Sequence, residues 1–364
     1  MKIAFLADAP YPHTRRWIEH FVRRGDECEV ISFRPATIDG ARVRHVAGGE
    51  PLGKARYLLH ARRIGAMIEK IAPDLVHALH LTSYGFLGAL SGVRPLVVSV
   101  WGTDVLQAPR LTPFHAWLTR YALAGADAIT ATGLHLATET TRYAPRGTPV
   151  TVVPYGVDLT RFAPGPQEPK GGAVVVGTAA RLSPEKGLKY LLDAFARLRQ
   201  RHGEGVRLRI AGEGPERRAL ERQIRRLGLE SAVELAGWVE PEAMAAFLGE
   251  LDVFVLPSLF EGFGVAAVEA SAAGLPLVAS AVHGLPDVVR DGETGLLVPP
   301  KDAAALAEAI DALIADPARR AALGRSGRAF VAGRYDWAAN ARQMELVYES
   351  VTSGQRRKVA ATWS

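Results

Sequence analysis

The sequence predicts an α/β protein made of two Rossmann-like domains facing a central cleft, and three observations carry that prediction. Short apolar runs alternate with helical patterns through the first half; a proline- and glycine-rich stretch interrupts them; a second alternation follows. Short apolar runs bounded by turn residues suit strands buried on both faces of a parallel sheet.

In the first half, strands are expected at 2–7, 28–33, 75–79, 96–100, 127–131 and 150–153, with helices over 13–24, 54–71 and 114–124. The helix over 54–71 is the plainest, because Tyr57, Ala61, Ile64, Ile68 and Ile71 form one apolar stripe. The opening run is too short for a signal-peptide core and is broken by Asp8, so it reads as a first buried strand. Between Phe162 and Gly172 the composition is that of a linker, which sets the expected domains at 1–162 and 163–336. Further strands are expected near 173–178, 207–211, 233–236, 252–255, 276–279 and 295–298. A last helix, over about 337–353, carries Trp337, Ala341, Met344, Tyr348 and Val351 on one face; the tail from Gly354, with Arg356, Arg357 and Lys358, has no core residues.

The composition of 48% hydrophobic and 23% charged residues is that of a soluble globular chain. No apolar segment approaches the roughly 18 residues of a membrane span. The single cysteine, Cys28, lies in an apolar run and reads as a buried thiol in a reducing compartment, so a cytoplasmic protein is expected. The net charge of +6 is uneven: residues 1–160 hold 18 Lys and Arg against 13 Asp and Glu, which is +5, leaving +1 for the rest. No dense basic run with interleaved aromatics points to nucleic acid.

The most informative stretch runs from Ser258 to Glu269. Glu261 and Glu269 flank a Gly-Phe-Gly turn where an apolar strand gives way to a helix. Glycines let backbone approach a ligand, and a new helix offers unpaired N–H groups to an anion. Upstream, Arg181 and Lys186 are loop cations at the end of another strand, suited to gripping phosphate as a fork and as a point charge.

These pieces, with Val153-Pro154-Tyr155-Gly156-Val157-Asp158, Ala211-Gly212-Glu213-Gly214-Pro215, Leu235-Ala236-Gly237-Trp238-Val239 and Gly292-Glu293-Thr294-Gly295-Leu296-Leu297-Val298, occur in an order that resembles the retaining glycosyltransferases of family 4, which have the GT-B fold. The match spans roughly residues 150–350, and the first half follows it more loosely. The resemblance implies a nucleotide-diphosphate sugar donor, UDP- or GDP-linked, bound mainly by the second domain, and a terminal helix that crosses back onto the first. It implies that Arg181 and Lys186 hold the diphosphate, that Glu269 accepts from ribose hydroxyls, and that Glu261 lies near the donor sugar. Gly262, Phe263, Gly264 and Val265 would contact sugar and phosphate through their backbone, and Trp238 and Val239 the base; Gly212 and Glu213 belong to the same donor side. The chain has no Asp-x-Asp pair, and neither a metal nor another cofactor is expected.

The first domain departs from the pattern. Many relatives have a glycine-rich loop where this chain has Asp8-Ala9-Pro10-Tyr11-Pro12-His13-Thr14, and a histidine where it has Trp101. His13, Thr14, His77 and His80 are expected on the acceptor side, with His77 and His80 equally suited to structural roles. Asp104 is the polar candidate of the Trp101 loop, or else a cap of the next element; His115 is expected to be structural. The resemblance thus implies transfer of a sugar to a hydroxyl acceptor, lipid-linked or a polysaccharide precursor, by front-face displacement with retention. The alternatives are a hydrolysing nucleotide-sugar epimerase or phosphorylase on this fold, and a non-catalytic nucleotide-sugar-binding protein. Arg56, His60 and Arg63 on one helix, and Arg15, Arg16, Arg23 and Arg24 on another, suggest docking at an anionic inner membrane face.

Overall fold

The computed structural model describes residues 1–46, 60–165 and 172–353. The chain divides into two units, one of Met1–Tyr155 with the chain from Ala338 onward, the other of Gly156–Trp337.

The first unit holds a seven-stranded sheet of β1 (Lys2–Leu6), β2 (Glu27–Ser32), β3 (Ala41–His45), β4 (Leu75–Leu79), β5 (Leu96–Val100), β6 (Ala128–Ala131) and β7 (Val150–Val152). Their order is β3-β2-β1-β4-β5-β6-β7 and every pairing is parallel. Strands β4 and β5 are buried along their whole length, as apolar runs covered on both faces must be. The sequence reading omits β3, and the reason is physical. It is an edge strand, Ala-Arg-Val-Arg-His, whose Arg44 forms an ion pair with Glu29 of β2, so it has no apolar run. Of the expected helix over 54–71, Ala61–Ile71 is described, with Ile64, Ile68 and Ile71 buried; Arg56 and Tyr57 lie outside the described residues.

As expected, the terminal helix Trp337–Thr352 packs on the first unit. Its Tyr348 ring stacks on Phe21 at 4.7 Å, and its Glu345 lies 2.9 Å from His20 Nε2. Cys28 is buried on β2, where burial and then the charge of Asp26 push its thiol up to about 12.

The second unit holds a six-stranded parallel sheet of β8 (Val174–Ala179), β9 (Val206–Ala211), β10 (Val233–Gly237), β11 (Val253–Leu256), β12 (Leu277–Ser280) and β13 (Gly295–Val298), ordered β10-β9-β8-β11-β12-β13. Its core joins Val176, Leu208, Val255 and Val278 of the sheet to Leu191, Phe195, Ile310 and Leu313 of flanking helices.

The division after Tyr155 falls earlier than the bound expected at 162. Val157 N–H donates to Tyr335 O at 2.7 Å and Trp337 N–H to Val157 O at 3.0 Å, while Arg328 reaches Phe162 O at 2.9 Å. A Cβ on Gly156 would lie 2.4 Å from Trp337 Cα, so residues 156–162 are pinned within the second unit. Residues 166–171 of the expected linker lie outside the described residues.

Candidate active site

In the second unit the strand order reverses between β8 and β11, and loops leaving the two strands there open a crevice where α/β sheets bind ligands. The loop after β8 carries Arg181 and Lys186; the loop after β11 carries Glu261. Gly187, at φ +64°, lets the two loops touch, because a Cβ there would fall 2.1 Å from Pro257 O. Leu259 N–H then donates to Glu185 O at 2.8 Å. Lys186 Nζ donates to Glu261 Oε2 at 2.7 Å, and the Ser258 hydroxyl approaches the same oxygen at 3.4 Å. Arg181 is exposed and makes no side-chain hydrogen bond or ion pair with another described residue. Burial alone would raise the Glu185 carboxyl, but the Ser183 hydroxyl, its own N–H, Lys186 and Arg181 together hold it below its usual range. The loop therefore stays cationic on one side and carboxylate-bearing on the other.

The turn that follows is shaped by glycine. Gly264, at φ +91°, caps the helix Val265–Ala272 without a side-chain hydrogen bond, leaving first-turn N–H groups open to an anion. Gly284 N–H donates to Glu261 O at 3.3 Å. The Phe263 side chain is buried against Tyr335, with ring centroids 5.4 Å apart. Glu269 is partly buried on the same helix, and Trp238, after β10, is 61% exposed beside the partly buried Val239. Gly212 N–H donates to Gly237 O at 2.6 Å, Leu182 N–H donates to Glu213 O at 3.0 Å, and the Glu213 carboxylate pairs with Arg217. Gly212 and Glu213 thus fix the loops after β8, β9 and β10 to one another.

In the first unit three candidate side chains lie inside the fold, which favours the structural role already open for Asp104 and His77 and corrects the expectation for Thr14. Asp104 is fully buried, and its carboxylate accepts from the N–H groups of Gly102 at 2.7 Å, Leu81 at 3.0 Å and Trp101 at 3.1 Å. It braces the loops after β4 and β5. His77 lies within β4, fully buried, and bonds the Tyr348 hydroxyl through Nδ1 and Ser99 Oγ at 2.7 Å through Nε2. Thr14 is also fully buried, with no hydrogen-bond partner for its hydroxyl among the described residues, so its side chain faces the core. His115 is structural as expected, exchanging contacts with Thr112 at the start of helix Pro113–Ala124.

His80 and His13 sit at loop positions. His80 ends β4 at φ +97°, a conformation that L-residues rarely adopt and that marks a locally over-determined turn. His13 stacks on Tyr155 at 4.3 Å, and burial, then the charge of Arg16, lower its imidazole to about 4. Trp101 and Tyr11 complete this aromatic group, Trp101 lying 5.4 Å from Tyr155 and 5.9 Å from Tyr11. The sequence reading missed Tyr11 and Tyr155 as members. Both stood inside quoted segments, but aromatic residues far apart in the chain give no signal that they will meet.

Two parallel Rossmann-like sheets, each with its loops gathered at a strand-order reversal, define a GT-B glycosyltransferase fold. Comparison with known proteins agrees. The model for glycosyl transferases group 1 matches residues 162–330, and that for glycosyl transferase 4-like domains matches residues 2–133. Glycogen synthase of Mycobacterium tuberculosis is 35% identical over 208 residues, 57% of this chain and 50% of that protein. The phosphatidyl-myo-inositol mannosyltransferase of Mycobacterium leprae is 37% identical over 220 residues, 59% of this chain and 58% of that protein. The solved sucrose-phosphate synthase of Thermosynechococcus elongatus superposes with a TM-score of 0.85 at 23% identity, covering 98% of this chain and 100% of its own, which speaks to fold alone. The chain belongs to the family 4 glycosyltransferases of the GT-B fold. It spans about half the length of the curated relatives it matches.

Proposed function

We propose that the protein transfers a sugar from a nucleoside diphosphate sugar, UDP- or GDP-linked, to a hydroxyl acceptor, with retention and without a divalent metal. The observation that carries this reading is the 2.7 Å contact of Lys186 with Glu261 at the reversal of the second sheet, beside exposed Arg181 and the helix start at Gly264, which has no side-chain cap. A departing diphosphate gains negative charge as the glycosidic bond breaks, and fixed cations and N–H groups lower the barrier by meeting that charge. Glu261 holds Lys186 in place before the donor arrives and is free to accept from sugar hydroxyls once the ammonium turns to phosphate. Glu269 accepts from the ribose. The anomeric carbon loses the phosphate oxygen and gains the acceptor oxygen on the same face, and the acceptor proton passes to the leaving phosphate.

The acceptor is proposed to be lipid-linked or anionic and met at the inner membrane face. The +5 of residues 1–160 and the phosphatidyl-myo-inositol mannosyltransferase among the relatives support this. Among the described residues no helix is long and apolar enough to cross a membrane. The test is a thermal-shift screen of nucleotide sugars, since a ligand bound only by the folded chain raises Tm. NMR of the product anomer with the donor that binds then reads the stereochemistry. No shift with any UDP or GDP sugar overturns the donor assignment, an inverted product overturns retention, and loss of all activity on adding a chelator overturns the metal-free route.

A further inference from the structure

Among the described residues of the first unit, the three most exposed large apolar side chains lie on or just before one helix. On Pro113–Ala124, Phe114 is 55% exposed, Trp117 52% and Tyr121 37%, and Leu111 just before it is 66% exposed. The spacing of 114, 117 and 121 puts the three rings on one face. They are ordered rather than splayed: Phe114 and Trp117 stack at 5.9 Å, Trp117 lies 5.5 Å from Tyr121, and buried Phe86 supports Tyr121 from below at 5.4 Å. A soluble surface seldom keeps such a contiguous stripe unless something covers it.

The charges around the stripe say what covers it. From Leu75 to Ala126 the only acidic residue is Asp104, which is buried. Residues 105–149 carry Arg110, Arg120, Arg142 and Arg146 against Asp127 and Glu139. Arg110 and Arg142 share the single carboxylate of Glu139, and Arg120 lies over the Tyr143 ring at 5.4 Å, which keeps its charge beside the helix. Aromatic rings flanked by arginines match the chemistry of an anionic bilayer interface, where rings sit at headgroup depth and cations meet phosphate. Among the described residues, the two helices that sequence alone suggested for docking lack this pairing of features. Arg15 and Arg23 flank Glu19, Arg24 pairs with Asp26, and the apolar residues Trp17, Ile18, Phe21, Ile64 and Ile68 are buried.

We infer that the face formed by Leu111, Phe114, Trp117 and Tyr121, rimmed by Arg110, Arg120 and Arg142, docks the protein onto an anionic lipid surface. This rests on the proposed transfer to a membrane acceptor and assigns the surface that would bring the enzyme to it.

The full chain is sedimented with vesicles of phosphatidylcholine alone and of phosphatidylcholine with phosphatidylglycerol, at low and high salt. Such vesicles contain no acceptor, so docking is read without turnover, and its failure leaves the transfer reading standing; a missing donor shift with docking intact is the reverse case. The wild type is expected to prefer the anionic vesicles, with Phe114→Ser/Trp117→Ser binding about tenfold or more weakly because binding follows the apolar area inserted. Arg110→Glu/Arg120→Glu is expected to lose the anionic preference while keeping residual binding to neutral lipid. An unchanged donor-induced Tm shift in each variant shows that the fold is kept. Three results overturn the inference: no vesicle binding by the wild type, equal binding by the serine variant, or a wild-type dimer in solution that the serine variant dissolves, which would assign the face to a second copy of the chain.

Discussion

Lys186 and Glu261 are 75 residues apart in the chain and 2.7 Å apart in space. Their side chains are 22% and 14% exposed, so each neutralises the other in a half-dried loop. Removing either one strands its partner. Lys186→Ala is expected to lower kcat by more than it weakens donor binding, because the charge it meets grows in the transition state. Arg181→Ala should behave alike, and the double variant should lose less than the product of the single losses if the two act as one unit. Pre-steady-state turnover with calorimetric donor affinity separates these effects; near-normal turnover in both single variants removes the diphosphate assignment.

Glu269 makes a second, independent test. A carboxylate can accept from two ribose hydroxyls at once, and an amide oxygen does so less well. Glu269→Gln is therefore expected to cost about 1–3 kcal/mol of donor affinity. Calorimetry with the nucleoside diphosphate alone reads it, and an unchanged Kd takes Glu269 out of the site.

The fold was legible where burial is two-sided. Twelve strands were placed from apolar runs, because strands such as β4, β5 and β11, buried along their whole length, are mainly hydrocarbon. The edge strand β3 was missed because one flank meets solvent and its Arg44 pairs with Glu29 of β2. Within the site, Lys186 and Glu261 were legible as charged residues at strand ends. Asp104 and His77 stayed open between a site role and a structural one, because a polar side chain in or near a strand reads the same whether it faces a ligand or a buried partner. Only the fold shows that Leu81 and Gly102 already occupy Asp104, and that Ser99 and Tyr348 already occupy His77. The aromatic face of helix Pro113–Ala124 was equally hidden, since Phe114, Trp117 and Tyr121 have the spacing of a buried stripe.

Glycine substitutions separate backbone demand from packing. Gly212→Ala would bring a Cβ to 1.9 Å from Ala180 O, a backbone atom that cannot swing away, at φ +133°. Gly264→Ala would be crowded by a flexible side-chain end, the Leu285 Cδ2 methyl at 2.7 Å, but it too sits at positive φ, +91°. Gly264→Ala is expected to lower stability by about 1–3 kcal/mol, and Gly212→Ala by more. Gly249→Ala, which meets nothing within 4 Å, should be close to neutral. Urea unfolding orders the three; Gly212→Ala matching Gly249→Ala would show that the loops after β8 and β9 are not locked together.

His77 links fold stability to pH. Burial lowers its imidazole from 6.5 to about 3, so the folded chain keeps it neutral where the unfolded chain protonates it. The unfolded state then binds more protons below 6.5, and stability must rise with pH there. The contribution is fully present above 6.5 and is lost as pH falls toward about 3. Between pH 8 and pH 5 the loss from this group is about 2 kcal/mol. His13, lowered to about 4, adds a loss of the same sign. Carboxylates held low by their partners, such as Glu29 and Asp26, act only below their unfolded values of 4.5 and 3.8, so this window isolates the histidines. His77→Gln should keep a polar partner for Ser99 or Tyr348 while removing its share of the pH slope. Urea midpoints at pH 8 and pH 5 measure it: wild type and His77→Gln should converge as pH falls, whereas parallel losses would mean that His77 is protonated in the folded chain.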